Sequence, residues 1–302
     1  MHDLVIIGGG PAGLCAGIYA QRARLDTVLV EKQMLGGQIA LSDVIENYPG
    51  FPSISGSALM EKFEEHAKGL ELPVKYLEVQ SITLDGKAKV LQTSEGEIRA
   101  KSVIIATGAR PRRLGVPGEV ELTGKGVSYC ATCDGPFFRE QPVVVVGGGD
   151  TAVKEALYLS RIASKVYIVH RRDQFRAEKM HQEKLEASEK IIKLKSHVLK
   201  EIKGEGGVVK GVIVEDIKTG EKKELQVEGA FIFVGINPTT DFADVEKDEG
   251  GFIKANERME TSMPGVFAAG DCRTTPLLQV VTAVGDGAIA AVYAEKFVEE
   301  FE

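Results

Sequence analysis

Cysteine is scarce, with four in 302 residues, and only Cys130 and Cys133 lie close together while Cys15 and Cys272 stand alone. A structural zinc site needs two further Cys or His ligands, usually as a second close pair, and none of the five histidines forms a knuckle with either isolated cysteine. That shortage leaves no metal to expect. Basic charge is also in deficit: 37 Lys and Arg against 44 Asp and Glu give a net charge of −7. Binding along a phosphate backbone needs a basic surface, so nucleic acid is excluded as the main partner. Long apolar runs are missing as well, and no segment is suited to cross a bilayer. Met1-His2-Asp3 leads straight into an apolar run, so no targeting peptide is expected and the reading is cytoplasmic. Without a secretory signal, a structural disulfide framework is not expected either.

Glycine, by contrast, is abundant and clustered, with 34 residues. The chain is too long for one hydrophobic core, which points to two domains. Leu4-Val5-Ile6-Ile7 reads as a strand buried on both faces. Gly8-Gly9-Gly10-Pro11-Ala12-Gly13 follows at once, then a helical pattern from Leu14 to Arg24, then Val28-Leu29-Val30 closed by Glu31. This is G-x-G-x-x-G between strand and helix. Its glycines allow a tight turn and close approach to a pyrophosphate, and the acid some 20 residues on takes a ribose hydroxyl pair.

The unit recurs. Val143-Val144-Val145-Val146 precedes Gly147-Gly148-Gly149-Asp150-Thr151-Ala152, a helical pattern runs to Arg161, and Tyr167-Ile168-Val169 closes it. One constant offset aligns Gly8 with Gly147, Gly13 with Ala152 and Val30 with Val169. The repeats differ where it matters: Glu31 falls opposite His170, followed by Arg171, Arg172 and, one turn on, Arg176. A carboxylate there suits a free 2′-hydroxyl, whereas guanidiniums suit a 2′-phosphate, so the second site is expected to prefer NADPH over NADH.

Leu35-Gly36-Gly37-Gln38 and Glu46 to Pro52 read as loops, Ser57 to Gly69 as a helix, and Val74 to Val79 and Ala88 to Thr93 as alternating segments. Val103-Ile104-Ile105-Ala106-Thr107-Gly108 reads as a buried strand ending at a ligand edge, Gly265 to Asp271 as a buried strand ended by an acid, and a final helix is expected from Gly285 onward. Pattern breaks at Arg110 to Arg113 and Gly235 to Thr239 read as two crossings of one boundary, with the segment between them inserted into the first domain. Glu178 to Glu228 is charged and reads as strand-rich, with no chemistry assigned.

Cys130-Ala131-Thr132-Cys133-Asp134 lies in the inserted segment. Two cysteines separated by two residues can close and reopen a small disulfide ring, and the following carboxylate can exchange protons with a thiolate. The two isolated cysteines are most simply buried small residues.

These stretches, together with Glu46-Asn47-Tyr48-Pro49-Gly50-Phe51 and the order in which they occur, make the sequence resemble the low-molecular-weight, FAD-containing thioredoxin reductases over essentially its whole length. The resemblance implies an α/β protein of two Rossmann-like dinucleotide-binding domains, the NADPH domain inserted into a discontinuous FAD domain: 1–112 and 239–302 for FAD, 113–238 for NADPH and the redox-active pair. Gly8, Gly10, Pro11, Ala12 and Gly13 would hold the FAD pyrophosphate, with Glu31 and Lys32 at its ribose. Gly37, Gln38, Asn47, Ala106, Thr107, Gly108, Gly270, Asp271 and Gln279 would line the rest of that cofactor. Gly147, Gly149, Asp150, Thr151 and Ala152 would approach NADPH, with His170, Arg171, Arg172 and Arg176 around its 2′-phosphate. By the same resemblance Cys133 is the sulfur nearest the flavin, Cys130 attacks the partner disulfide, and Asp134 moves the proton.

The partner implied is thioredoxin or a thioredoxin-like disulfide, and the assembly implied is a homodimer. The dithiol and the second dinucleotide fold share one domain, so they are expected to take turns at the flavin by rotation about the crossings. The chain departs from the family pattern at Leu278, where Arg commonly precedes Gln279, and at Lys154, where Glu is frequent. Other readings use the same scaffold: a glutaredoxin-like or peroxidase-linked carrier as acceptor, a deazaflavin or ferredoxin as donor, a flavin oxidase or ferredoxin reductase with no need of the cysteines, or a zinc-stabilised nucleotide sensor.

Overall fold

The computed structural model describes residues 1–42 and 45–301. It divides into two compact units, Met1–Arg110 with Asn237–Glu302, and Pro111–Ile236. Both crossings lie within the expected breaks, two residues before the expected bounds at 112 and 238.

The first unit begins with β1 (His2–Ile7), α1 (Pro11–Arg22), β2 (Thr27–Glu31), α2 (Gly56–Gly69), β3 (Val74–Tyr76), β4 (Val79–Asp85), β5 (Ala88–Thr93) and β6 (Gly96–Ile105). The chain then leaves through β7 (Ala109–Pro111). The second unit holds β8 (Val127–Ser128), α3 (Ala131–Asp134), β9 (Pro142–Val146), α4 (Asp150–Leu159), β10 (Lys165–His170), α5 (Lys179–Ala187) and β11 (Ile191–Lys195). Three further strands, β12 (His197–Glu205), β13 (Val208–Asp216) and β14 (Lys222–Gln226), precede β15 (Gly229–Ile232). The chain returns through β16 (Ile236–Pro238), which pairs with β7, and ends with β17 (Val266–Ala268) and α6 (Val280–Glu299).

The sheet of the first unit runs β3-β2-β1-β6-β5-β4, with β17 also on β6. Its central strands β2, β1 and β6 are parallel, and the stretches 28–30, 4–7 and 103–105 are apolar and buried because both faces are covered there. Leu4 and Ile6 pack against α1 and α6 through Leu14, Ala290 and Ala294, whereas Val5 and Ile7 pack with Leu91, Ala243 and Ile253 on the other face.

The second unit repeats this arrangement in the order β11-β10-β9-β15-β8. Val143 and Val145 face α4 through Ala152, Val153 and Ala156, and Val144 and Val146 face the antiparallel meander β12-β13-β14 through Leu199, Val212 and Leu225.

Two elements depart from the sequence reading. α6 starts at Val280, five residues before the expected Gly285, because Gln279 and Thr282 form a reciprocal capping box that Gly285 and Gly287 obscure in the pattern. α5 falls in the stretch expected to be strand-rich: Leu185 is its one buried residue among nine, so no apolar period marks it.

Candidate dinucleotide sites and redox centre

In the first unit, strand register brings the predicted loops to one edge. Ile7 is level with Val30 on β2 and Ile105 on β6, and Ala268 on β17 is level with Ile105. The segments following all four strands therefore meet at the carboxyl edge of the sheet, where open α/β sheets bind ligands. Gly8 turns there at φ +109°, donating its N–H to Val30 O at 2.8 Å. A Cβ on Gly13 would lie 1.8 Å from Gly8 O, so only glycine lets α1 close onto the turn. Gly10 caps α1 with no side-chain hydrogen bond, leaving the first-turn amides, with Pro11 and Ala12 beside them, to a ligand.

The remaining predicted residues of this unit gather unevenly. Glu31 ends β2 and accepts from Gly9 N–H at 2.7 Å and Gln33 N–H at 2.8 Å. Lys32 turns away to an exposed ion pair with Glu78 at 2.6 Å. Gly37 lies against Gly10, where an added Cβ would sit 3.3 Å from the Gly10 Cα, and Gln38 follows it on an exposed turn of 3-10 helix. Asn47 Nδ2 donates to Gln279 Oε1 at 3.0 Å, joining two predicted residues far apart in sequence. Thr107 and Gly108, just beyond buried Ala106, hold the returning chain: the Thr107 hydroxyl donates to Thr239 O at 2.5 Å and Thr239 N–H to Gly108 O at 3.0 Å.

Gly270 sits at φ +75° against Ala12, and its N–H donates to Asp286 Oδ2 at 3.1 Å. Arg273 grips the Asp286 carboxylate with two 2.8 Å bonds, fixing the turn that carries Asp271. Asp271 Oδ1 is buried with no hydrogen-bond partner. Burial, and then the Asp286 carboxylate, push its pKa up to about 6. An orphaned acceptor beside an open glycine cradle, with a carboxylate at the end of β2, fits a dinucleotide whose hydroxyls donate and whose pyrophosphate meets the helix.

The second unit reproduces the cradle. Gly147, at φ +148°, donates to Val169 O at 3.0 Å, the counterpart of the Gly8 to Val30 bond. A Cβ on Gly147 would lie 2.3 Å from Phe233 O, as one on Gly8 would lie 2.4 Å from Ala106 O. Gly149 caps α4, again without a side-chain bond, with Asp150, Thr151 and buried Ala152 in the first turn. Asp150 Oδ1 accepts from Glu178 N–H at 2.9 Å.

His170 takes the place of Glu31 in space as in sequence: a Cβ on Gly148 would lie 2.2 Å from its Nδ1. Its ring is buried and stacked on Phe175 at 5.6 Å, and its Nε2 lacks a partner. Burial first, then the Arg176 guanidinium, lower its pKa. The side chains of Arg171, Arg172 and Arg176 are exposed, while Arg176 N–H donates to Gly148 O at 2.6 Å and so ties the arginine segment to the glycine turn. Lys154 is exposed on α4, and Leu278 is half-buried.

Cys130 and Cys133 form a disulfide, with their Cα atoms 5.3 Å apart. Cys130 is the N-cap of α3, and its Sγ accepts from Cys133 N–H at 3.2 Å with the Thr132 hydroxyl 3.4 Å away. Asp134 ends that turn. Ser128 Oγ holds Cys130 from both sides, accepting from its N–H at 3.0 Å and donating to its carbonyl at 3.2 Å.

Sequence reasoning missed Glu119. It is fully buried, accepting from Leu114 N–H at 3.0 Å, Gly115 N–H at 2.7 Å and the Tyr129 hydroxyl at 2.8 Å. An exposed-looking Pro-Gly-Glu turn gives no local signal of such burial.

Two dinucleotide cradles and a dithiol ring that can open and close define a class, the flavin- and nicotinamide-dependent disulfide oxidoreductases. A family model described as pyridine nucleotide-disulphide oxidoreductase matches residues 2–287. The thioredoxin reductase of Bacillus subtilis (strain 168) is 47% identical over 305 residues, covering 100% of this chain and 96% of that protein. That of Peptoclostridium acidaminophilum is 47% identical over 308 residues, covering 99% and 98%. The crystal structure of thioredoxin reductase from Streptococcus pyogenes MGAS5005 superposes with a TM-score of 0.95 at 46% identity, covering 99% of each chain. The chain belongs to the pyridine nucleotide-disulphide oxidoreductase family, among the thioredoxin reductases. This membership implies FAD and NADPH as cofactors. Among the described residues no helix is long and apolar enough to cross a membrane.

Proposed function

We propose that this chain carries electrons from NADPH, through FAD and the Cys130–Cys133 disulfide, to the disulfide of thioredoxin. The observation that carries this reading is the disulfide itself, whose Cys130 sulfur accepts the Cys133 N–H at 3.2 Å. FAD bound to residues 1–110 and 237–302, and NADPH bound to residues 111–236, supply two-electron transfer.

The rest falls to side chains. When the disulfide accepts two electrons, the S–S bond breaks and leaves two sulfurs that together need two protons. The Cys133 N–H and the Thr132 hydroxyl stabilise negative charge on Cys130 Sγ, keeping it a nucleophile. Asp134 is the proton donor and acceptor for the pair. Cys130 then attacks the partner disulfide, one partner sulfur leaves as thiolate, and Cys133 displaces the other to restore the ring. His170, Arg171, Arg172 and Arg176 hold the 2′-phosphate of NADPH, and Glu31 the adenosine ribose of FAD. Lys32 supports that ribose only if its ion pair with Glu78 opens.

The unit carrying the dithiol and the second cradle turns about β7 and β16, so that each reaches the flavin in succession. The protein works as a homodimer in the cytoplasm, where thiols are kept reduced.

Anaerobic titration with NADPH tests the relay. Flavin absorbance should bleach in both the parent and Cys133→Ser, and oxidised thioredoxin should restore it in the parent alone. A flavin that dithionite reduces but NADPH does not would overturn the reading.

A further inference from the structure

The meander β12-β13-β14 has no part in the relay, yet it is bonded to the arginine segment. Ser196, between β11 and β12, is a non-glycine residue held at φ +56° and only 7% exposed. Its N–H donates to Arg172 O at 3.1 Å, its hydroxyl donates to Asp173 Oδ1, and its own carbonyl accepts from Ile217 N–H at 2.8 Å. Lys218, next along, places Nζ 2.7 Å from the same Asp173 oxygen. The turn presenting Lys218 is preformed: Asp216 Oδ1 accepts from Lys218 N–H at 2.7 Å and Thr219 N–H at 3.3 Å, and Gly220 supplies φ +74°. Lys218 and then Ser196 hold the Asp173 carboxyl below its ordinary pKa, so it stays charged.

A free carboxylate directly after Arg171 and Arg172 opposes a phosphate at the same place. Here the negative charge is cancelled by an ammonium and fixed on the meander by a hydroxyl. We infer that Lys218 and Ser196 are specificity-determining positioning residues. They act through Asp173, neutralising its carboxylate and anchoring the Arg172 backbone, so that the arginines present net positive charge to a 2′-phosphate. The inference rests on the reading that these arginines receive that phosphate.

The test is calorimetric binding of 2′,5′-ADP and 5′-AMP to the flavin-loaded protein, neither of which can turn over. In Lys218→Ala, affinity for 2′,5′-ADP should fall about two- to five-fold, the scale of an exposed charge pair, and 5′-AMP should bind as before. The loss should shrink at high salt. Adding Asp173→Asn to Lys218→Ala should restore 2′,5′-ADP affinity, a rescue that general damage to the turn would not give. Equal weakening of both ligands, or no rescue, would overturn the inference alone, provided Arg172→Ala still abolishes discrimination. If the parent protein binds the two ligands equally, the phosphate reading fails and the inference fails with it.

Discussion

The phenol of Tyr129 donates a 2.8 Å hydrogen bond to Glu119 Oε1, one residue ahead of Cys130. Two backbone amides and this hydroxyl are the donors seen on a fully buried carboxylate. Burial, and then Glu119, push the Tyr129 pKa up to about 12. Tyr129→Phe leaves Glu119 short of a donor and should cost about 1–3 kcal/mol of stability, read from urea unfolding.

Gly13→Ala places a methyl 1.8 Å from Gly8 O, a contact that backbone can relieve only by moving α1 off the turn. The variant should fold with little bound flavin, seen as a fall in the ratio of flavin to protein absorbance after purification.

Asp271 has a folded pKa of about 6 against an ordinary 3.8. Since the folded state binds the proton more tightly, stability from this group is fully present below pH 3.8 and is lost as pH rises through about 6. In flavin-free protein, Asp271→Asn should match the parent near pH 4 and be the more stable of the two above pH 6, while retaining flavin less well. Thermal midpoints across that range check the first part, and flavin release by dialysis the second.

Lys89 is 1% exposed, its Nζ 4.2 Å from the Phe297 ring centroid and 3.0 Å from Lys87 O. Burial lowers its pKa to about 8 from 10.5, so the unfolded chain binds more protons between those values. The cost of burying the charge is complete below pH 8 and fades as pH rises to 10.5. Urea midpoints of the parent should therefore rise relative to Lys89→Met between pH 8 and 10.5. Parallel midpoints would contradict the assignment.

Cys15 and Cys272 are buried, and burial pushes both pKa values up to about 11. Alkylation of the folded protein at pH 8, followed by mass spectrometry, should add two labels after reduction, at Cys130 and Cys133, and none before it.

Much of the site was legible in the chain. The constant offset between the repeats survives as paired hydrogen bonds, Gly8 to Val30 and Gly147 to Val169, and the exchange of Glu31 for His170 recurs at equivalent places against Gly9 and Gly148. Such features are readable because glycine turns and strand ends are local. Lys32 follows Glu31 in sequence, just beyond the end of β2, and its pairing with Glu78, 46 residues on, is a contact that its neighbours in the chain do not reveal. α5 was invisible because a surface helix with one buried side chain carries no period.

The sequence by itself determined two glycine cradles at strand ends, the exchange of Glu31 for His170 between them and a C-x-x-C ring, because each depends on backbone freedom and spacing within a few tens of residues. Only the tertiary structure decided that Glu119 is buried beneath Tyr129, that Asp286 and Arg273 fix the turn of Asp271, and that Lys218 reaches Asp173. Those pairings join segments whose proximity is set by sheet order and packing, and a charged residue's own neighbours in sequence do not say which distant group will neutralise it.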